Sequence, residues 1–432
     1  MLRSVDVTNV LLGLFFVFLA SGLPIFLVLG MTALVLFWVD GQPLISVAQK
    51  VVDQFNSDTL MAVPFFVIAA TFMQRGGVAA ALVDFAGAWT GRLRGSLGLV
   101  CVLGCAMFGA VSGSSVATAL AMGTILVPAM LSRNYERPFA LGVVAGSGTL
   151  GILIPPSLAM ILYAIIAEES VPRLFIAGLV PGLIQTFIFA LYVMWYAHRH
   201  NYPREKALSR QEFIRVNLRA LPALAVPVII AVGIYGGVVT ISEAAAFAAV
   251  VVLIVSASVY KGFTWRESIG VMGDAMKSGA SILVIVATAL VFGHWMTEAG
   301  GPARIVKFIV DNDFSAWQFL LAINGILLIM GMFLEGASIM LITLPLLVPV
   351  LKPLGIDPVH FAVIIVINLE LALVTPPVGL NLYVLSGITK APMSEAIKGV
   401  TPFIVLLIGL LLVVTYVPEL SLWLPNLVYG AR

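Results

Sequence analysis

Two pairs of adjacent prolines, Pro155–Pro156 and Pro376–Pro377, each interrupt a long apolar segment. Proline donates no N–H and clashes with the turn before it, so neither segment can run as one unbroken helix. The pairs are also in register. Pro128 and Pro349, Pro155 and Pro376, and Pro181 and Pro402 are each 221 residues apart. Around them "ILVPAML" (125–131) matches "LLVPVLK" (346–352), "LIPPS" (153–157) matches "VTPPV" (374–378), and "IAGLVPG" (176–182) matches "IKGVTPF" (397–403). Gly76–Gly77 recurs as Gly300–Gly301, three residues off that register. An ungapped match of this length marks an internal duplication. The chain must fold as two copies of one broken-helix unit, joined by the polar stretch 198–219.

Composition decides the medium. Of the 432 residues, 61% are apolar and 10% are charged, against about 25% charged in soluble domains. So apolar a chain cannot clothe itself in polar surface, and a polytopic membrane protein follows. The net charge of +2 gives no reason to expect nucleic acid. Cys101 and Cys105 lie four apart in one apolar helix, a packing arrangement without zinc spacing. The apolar stretch from Val10 to Val39 is too long for a cleavable signal and lacks a basic flank beyond Arg3. A G-x-G-x-x-G string at Gly146, Gly148 and Gly151 would need a preceding strand to bind a dinucleotide. Here a membrane helix leads in and prolines lead out. There is no phosphate-binding G-x-x-x-x-G-K-[ST] loop, and His198 and His200 lie in a basic, solvated loop. An enzyme is not expected.

At about 20 apolar residues per crossing, membrane segments are expected near 5–20, 23–39, 55–73, 95–111, 116–131, 137–168, 174–197, 219–236, 242–260, 277–297, 315–333, 338–351, 358–389 and 396–417. The amphipathic stretches 76–94 and 300–313 are expected to lie at the interface. Segment 198–219 holds six of the 23 Lys and Arg, which places it in the cytoplasm. If 95–131 and 315–351 are re-entrant hairpins, each half has five crossings and the second half runs inverted. The N-terminus then lies outside, with 16 Lys and Arg inside and seven outside. Full crossings by the hairpins would keep the same parity.

The double prolines free the carbonyls of Gly151 and Ile152, and of Ala372 and Leu373, for a hard cation such as sodium. The half-helix that follows offers its N-terminus to an anion. Matching breaks in two repeats point to a transport site; a simple proline kink is the plainer alternative. The hairpin tips supply further walls: Ser112, Gly113, Ser114 and Ser115 in "AVSGSSVATA", and Glu335, Gly336 and Ser338 in "FLEGASIM". Small-residue helix packing is the plainer account of the serines. Glu335 and Glu370 are expected to be buried, at a cost of roughly 2.5–3.5 kcal/mol each on insertion scales. That cost suggests a cation ligand, a proton carrier or a structural hydrogen bond. Asn368, Thr375 and Asn381 flank the second break. Neither tip nor break carries Lys or Arg, so an anionic substrate would be held by amides, hydroxyls and ions.

Together "SGSSVATA", "GTLGILIPPS", "LFIAGLVPG", "NLELALVTPPVGLNLYV" and "GIDPVHF" resemble the large membrane subunit of tripartite ATP-independent periplasmic (TRAP) transporters, over essentially the whole chain. The second tip reads "LEGAS" where family members often carry an aspartate. The resemblance implies an all-α, inverted-repeat elevator transporter related to divalent anion–sodium symporters. Its scaffold would come from 1–94 and 220–313 and its moving transport domain from 95–197 and 314–432, with 198–219 as the linker. It further implies one sodium ion between Ser112, Gly113, Ser114, Ser115 and Gly146, Gly148, Thr149. A second would lie between Glu335, Gly336, Ala337, Ser338 and Thr375, Pro376, Gly379, Asn381. Substrate would sit between them, near Ser115, Pro155, Pro156, Ser157 and Asn381. The implied partners are a small four-helix membrane subunit (Q type) and a separate periplasmic substrate-binding protein (P type), at the bacterial cytoplasmic membrane.

The expected function is sodium-coupled import of a small organic acid, such as a C4-dicarboxylate or a sugar acid. No organic cofactor is expected. The alternatives are a self-sufficient anion–sodium symporter and a membrane component with no site of its own.

Overall fold

A computed structural model describes residues 13–39, 41, 43, 45, 48–49, 51–52, 58–205 and 208–431. The segment expected at 5–20 lies partly outside them, as do the starts of the segment at 55–73 and of the region 1–94. Among the described residues the secondary structure is helical throughout, without a strand. Six helices among the described residues are long and apolar enough to cross a membrane; they include Val171–Arg199, Arg210–Tyr235 and Ser268–Glu298. Exposed Phe187, Val232, Phe247 and Val405 belong to such helices, as an apolar surrounding medium requires.

Four shorter helices form two pairs. Ser96–Ser112 and Ser115–Leu131 make the first hairpin, and Ala316–Gly331 and Gly336–Leu351 the second. Each is followed by a helix that breaks at its double proline: Arg137–Gly148 leads to Leu158–Ala167, and Pro358–Val374 leads to Leu380–Thr389. Both proline pairs are joined by cis peptide bonds. The amphipathic stretches become Val78–Thr90 and Gly301–Asp311. The first is bent 67° from the helix before it at the Gly76–Gly77 pair.

The repeats are not packed side by side as independent bundles. The first broken helix (Arg137–Gly148) packs on the last long helix of the second repeat, Met393–Tyr416, and Pro358–Val374 packs on Val171–Arg199 of the first. Gly142 and Gly399 face each other so closely that a methyl on either would overlap the other strand of backbone. Leu380–Thr389 likewise lies on the second arm of the first hairpin, and Leu158–Ala167 on the second arm of the second.

Two elements depart from the sequence expectation. The loop at 198–219 is shorter than expected, because the next helix begins at Arg210. Ser209 caps it with a reciprocal bond to Glu212, a polar start that hydropathy alone does not register. A further helix, Glu419–Tyr429, follows the last span. It docks on Val171–Arg199, where buried Arg173 donates to the Asn426 side chain at 2.7 Å and to the Gly430 carbonyl at 3.3 Å. Cys101 and Cys105 are buried and unbridged in the packing role expected of them.

Candidate functional site

At the first tip the chain reverses through Gly113, at φ +58°, and Ser114. Ser114 caps the returning arm, its hydroxyl accepting from the Ala117 N–H at 3.4 Å. Thr118 donates to the Ser114 carbonyl at 2.7 Å and lies 3.0 Å from the Ser112 hydroxyl. The tip rests on the first break: the Leu158 N–H donates to the Gly113 carbonyl at 3.4 Å. A methyl added to Gly109 would stand 2.6 Å from the Gly151 Cα, and one on Gly151 would stand 2.8 Å from the Ser114 carbonyl. Only glycine fits at either place.

The first break runs from Thr149 through the short turn Leu150–Leu153 and the prolines to Ser157, which caps Leu158–Ala167 by accepting from the Met160 N–H at 3.3 Å. One expectation is corrected here. The Ile152 carbonyl is not free, because the Ser157 hydroxyl donates to it at 2.5 Å. Gly146 also has its carbonyl occupied, by the Thr149 hydroxyl at 2.8 Å, and its flank lies against the Phe403 ring. Gly148 abuts Ala119.

The second tip is built differently. Glu335 stands at the N-terminus of Gly336–Leu351 and makes no side-chain cap bond. It is exposed rather than buried: the turn Met332–Leu334 carries it out to the mouth of a cavity instead of into the helix packing. Ala337 and Ser338 follow in the first turn of that helix. At the second break Thr375 donates to the Leu371 carbonyl at 2.6 Å, and Pro376–Pro377 lead to Gly379, at φ +38°. The half-helix Leu380–Thr389 also starts without a side-chain cap. The Val378 N–H donates to the Met332 carbonyl at 3.3 Å, so this tip too is tied to its break.

Both tips open on one cavity of about 180 Å³. Ser114 and Ser115 line it from one side and Glu335, Gly336 and Ala337 from the other. Leu158 and Leu380, the first residues of the two half-helices, also face it, as do Val63 and Ile282 from the long helices outside the hairpin units. Among the described residues Glu335 is its only charged lining residue. Of the residues expected to hold substrate, Ser115 alone lines the cavity; Pro155, Pro156, Ser157 and Asn381 do not. Asn381 lies behind it, fully buried, donating to the Ser115 hydroxyl at 2.8 Å and to the Ala145 carbonyl at 3.2 Å. Asn381 thus joins the first tip rather than the second, with which it was expected to share a sodium ion.

Glu370 is buried as expected. Its Oε2 lies 3.3 Å from the Thr149 hydroxyl, which gives its proton to the Gly146 carbonyl and accepts from the Gln185 amide at 3.0 Å. Thr149 and Glu370 are 221 residues apart, so the same position of the two repeats meets itself. Gln185 was not singled out from the sequence, although a lone amide within the apolar run "GLIQTFIF" is a readable signal. A second buried network was likewise missed as a unit. Asn368 donates to Asn324 at 2.8 Å, and Asn324 donates to Thr415 at 3.0 Å.

A family model described as the DctM component of the tripartite ATP-independent periplasmic transporter matches residues 12–420. The chain belongs to the DctM family. Across 434 aligned residues it is 41% identical to the C4-dicarboxylate TRAP transporter large permease protein DctM of Rhodobacter capsulatus, covering 97% of this chain and 98% of that one. The isethionate TRAP transporter permease protein DctMQ of Oleidesulfovibrio alaskensis is 37% identical over 97% of this chain and 66% of its own length. Among solved structures, Neisseria gonorrhoeae MtrF superposes with a TM-score of 0.63 at 14% identity, over 88% of this chain and 84% of that one. At that identity the likeness is one of fold. As a DctM-family large permease the chain is a multi-pass membrane transporter subunit and not an enzyme.

Proposed function

We propose that this permease imports a small organic acid, a C4-dicarboxylate or a sugar acid, across the bacterial cytoplasmic membrane with sodium ions. A periplasmic binding protein delivers the substrate, and a small membrane subunit of the Q type completes the assembly. The relative named as a C4-dicarboxylate permease, alike along nearly its whole length, supports the substrate class. The relative whose name joins M and Q supports the small-subunit partner.

The observation that carries the mechanism is the shared cavity. Both hairpin tips reach it, and it lies where they face the outer helices Asp58–Arg75 and Ser268–Glu298. The hairpin arms have 16 or 17 residues, about 25 Å at 1.5 Å per residue, short of the ~30 Å apolar core. Arms of this length, closed by tight tips, suit re-entrant hairpins. Equivalent positions can touch each other only near an axis that relates the copies, so the Thr149–Glu370 contact favours a two-fold between the repeats. With the crossing parity that axis lies in the membrane plane, which makes the repeats inverted. Substrate at the boundary between hairpin units and outer helices suits an elevator: 95–197 and 314–432 move against 1–94 and 220–313.

In this reading one sodium ion sits by Ser112, Gly113, Ser114 and Ser115 with Gly146, Gly148 and Thr149. Another sits by Glu335, Gly336, Ala337 and Ser338 with Thr375, Pro376 and Gly379, without Asn381, whose amide is held at the first tip. Each net positive charge moved inward gains about 2.3 kcal/mol per 100 mV. Two sodium ions drive a monocarboxylate electrogenically, but only neutralise a dicarboxylate. Proteoliposomes holding this chain, its small subunit and the binding protein test the proposal. Uptake should collapse without a sodium gradient and without the binding protein. Undiminished uptake without sodium, or transport by this chain alone, overturns it.

A further inference from the structure

Glu370 has no basic neighbour to pair with. Its relative exposure is 0%, and none of the ion pairs among the described residues involves it. Oε2 lies 3.3 Å from the Thr149 hydroxyl, whereas Oε1 has no hydrogen-bond partner. Beside it the Gln185 amide, 1% exposed, leaves its own Oε1 without a partner. Two orphaned oxygens in one buried cluster are an unusual cost, since each loses its water without gaining a donor. A carboxylate in a low-dielectric interior needs a counter-charge or a proton. The Thr149 hydroxyl and the Gln185 amide beside it are neutral, and as placed the amide's donor side faces the carboxyl and Thr149; turned over, the amide presents its oxygen to an entering cation without moving the backbone. The result is a carboxylate, an amide oxygen and a hydroxyl, a set of hard donors of the kind that takes an alkali cation.

We propose that Glu370 and Gln185, with Thr149 shared with the first site, form a third sodium site, on the contact between the repeats and behind the cavity rather than in it. Leu369, the next residue, lines the cavity, so the site lies one layer of side chains from the substrate. This rests on the sodium coupling proposed above and deepens it. The charge on Glu370 travels both ways in a transport cycle and cancels, so a third ion adds one net positive charge to each import. A dicarboxylate, only neutralised by two sodium ions, would then be carried electrogenically.

The test uses the purified full chain in nanodiscs and sodium alone, with choline holding ionic strength constant. Stabilisation against unfolding grows with the logarithm of sodium concentration in proportion to the ions bound by the folded state. Glu370→Gln keeps the shape and removes the charge. Its slope should fall by about one third relative to wild type, since one ion of three is lost. An unchanged slope in Glu370→Gln overturns the inference, because the carboxyl is then serving as a neutral hydrogen-bonding group. A wild type with no sodium response overturns instead the sodium coupling on which this rests. Should Glu370→Gln fail to fold, Gln185→Met decides: a reduced slope supports the site and a wild-type slope overturns it.

Discussion

The two repeats share a backbone plan but close it differently. In the first, serines cap both half-helix N-termini: Ser114 begins the returning arm of the hairpin and Ser157 the segment after the prolines. In the second, Glu335 and Gly379 occupy those places, and neither makes a side-chain cap. A capped N-terminus has used part of its hydrogen-bonding capacity on its own chain, whereas an uncapped one keeps its amides and partial positive charge for a guest. The first repeat thus resembles a preformed wall, with its hydroxyls already committed. The second is the more open wall, with a carboxylate at one helix start and bare amides at the other. The same backbone plan occurs twice, and the copies differ at the two capping places.

Five substitutions probe this contrast. The largest effect is expected from Gly109→Ala. Its side chain would meet the Gly151 backbone, which cannot turn aside, and overpacking of this kind costs about 1–3 kcal/mol or more. Folded yield in fluorescence-detected size exclusion should drop steeply. The matching change in the second repeat, Gly331→Ala, meets the Ala372 side chain and should cost less, while Gly387→Ala enters open space. Equal yields for all three would mean that the tips are not pressed onto their breaks. Ser157→Ala comes next: losing the cap costs about 1 kcal/mol, and the Ile152 carbonyl is orphaned with it. Its melting temperature should fall by a few degrees; no fall would remove the case for a self-satisfied first wall. Glu335→Gln should have the smallest effect on stability, within about 0.5 kcal/mol, because the side chain is exposed. Uptake at limiting sodium should nevertheless drop several-fold. Wild-type uptake at every sodium concentration would deny the second wall its part in ion binding.

Much of this plan is legible in the primary sequence. The hairpin arms, the interfacial stretches and both breaks fall within a few residues of their expected places, because prolines and apolar runs are local signals. The cavity lining is less legible. Ser157 was expected to face substrate and instead serves the carbonyl its own prolines had released. Sequence position cannot show which of two nearby acceptors a hydroxyl will choose. Glu335 and Glu370 look alike on paper, each an acid in an apolar run. One is carried outward by a three-residue turn, while the other is enclosed by a helix of the opposite repeat. Asn381 likewise crosses to the first tip because of interdigitation. Such pairings depend on how the copies fit together, which a period of 221 residues announces without describing.

The close approach of Gly142 to Gly399 bears on how the protein is made. A glycine face on Arg137–Gly148 enters the membrane with no partner until its counterpart is synthesised about 250 residues later, which at 5–20 residues per second takes roughly 10–50 s. Thr149 waits nearly as long for Glu370. Through that interval the first half sits in lipid with a bare polar seam, exposed to the membrane's quality-control proteases. Its survival there is part of what the sequence has to secure.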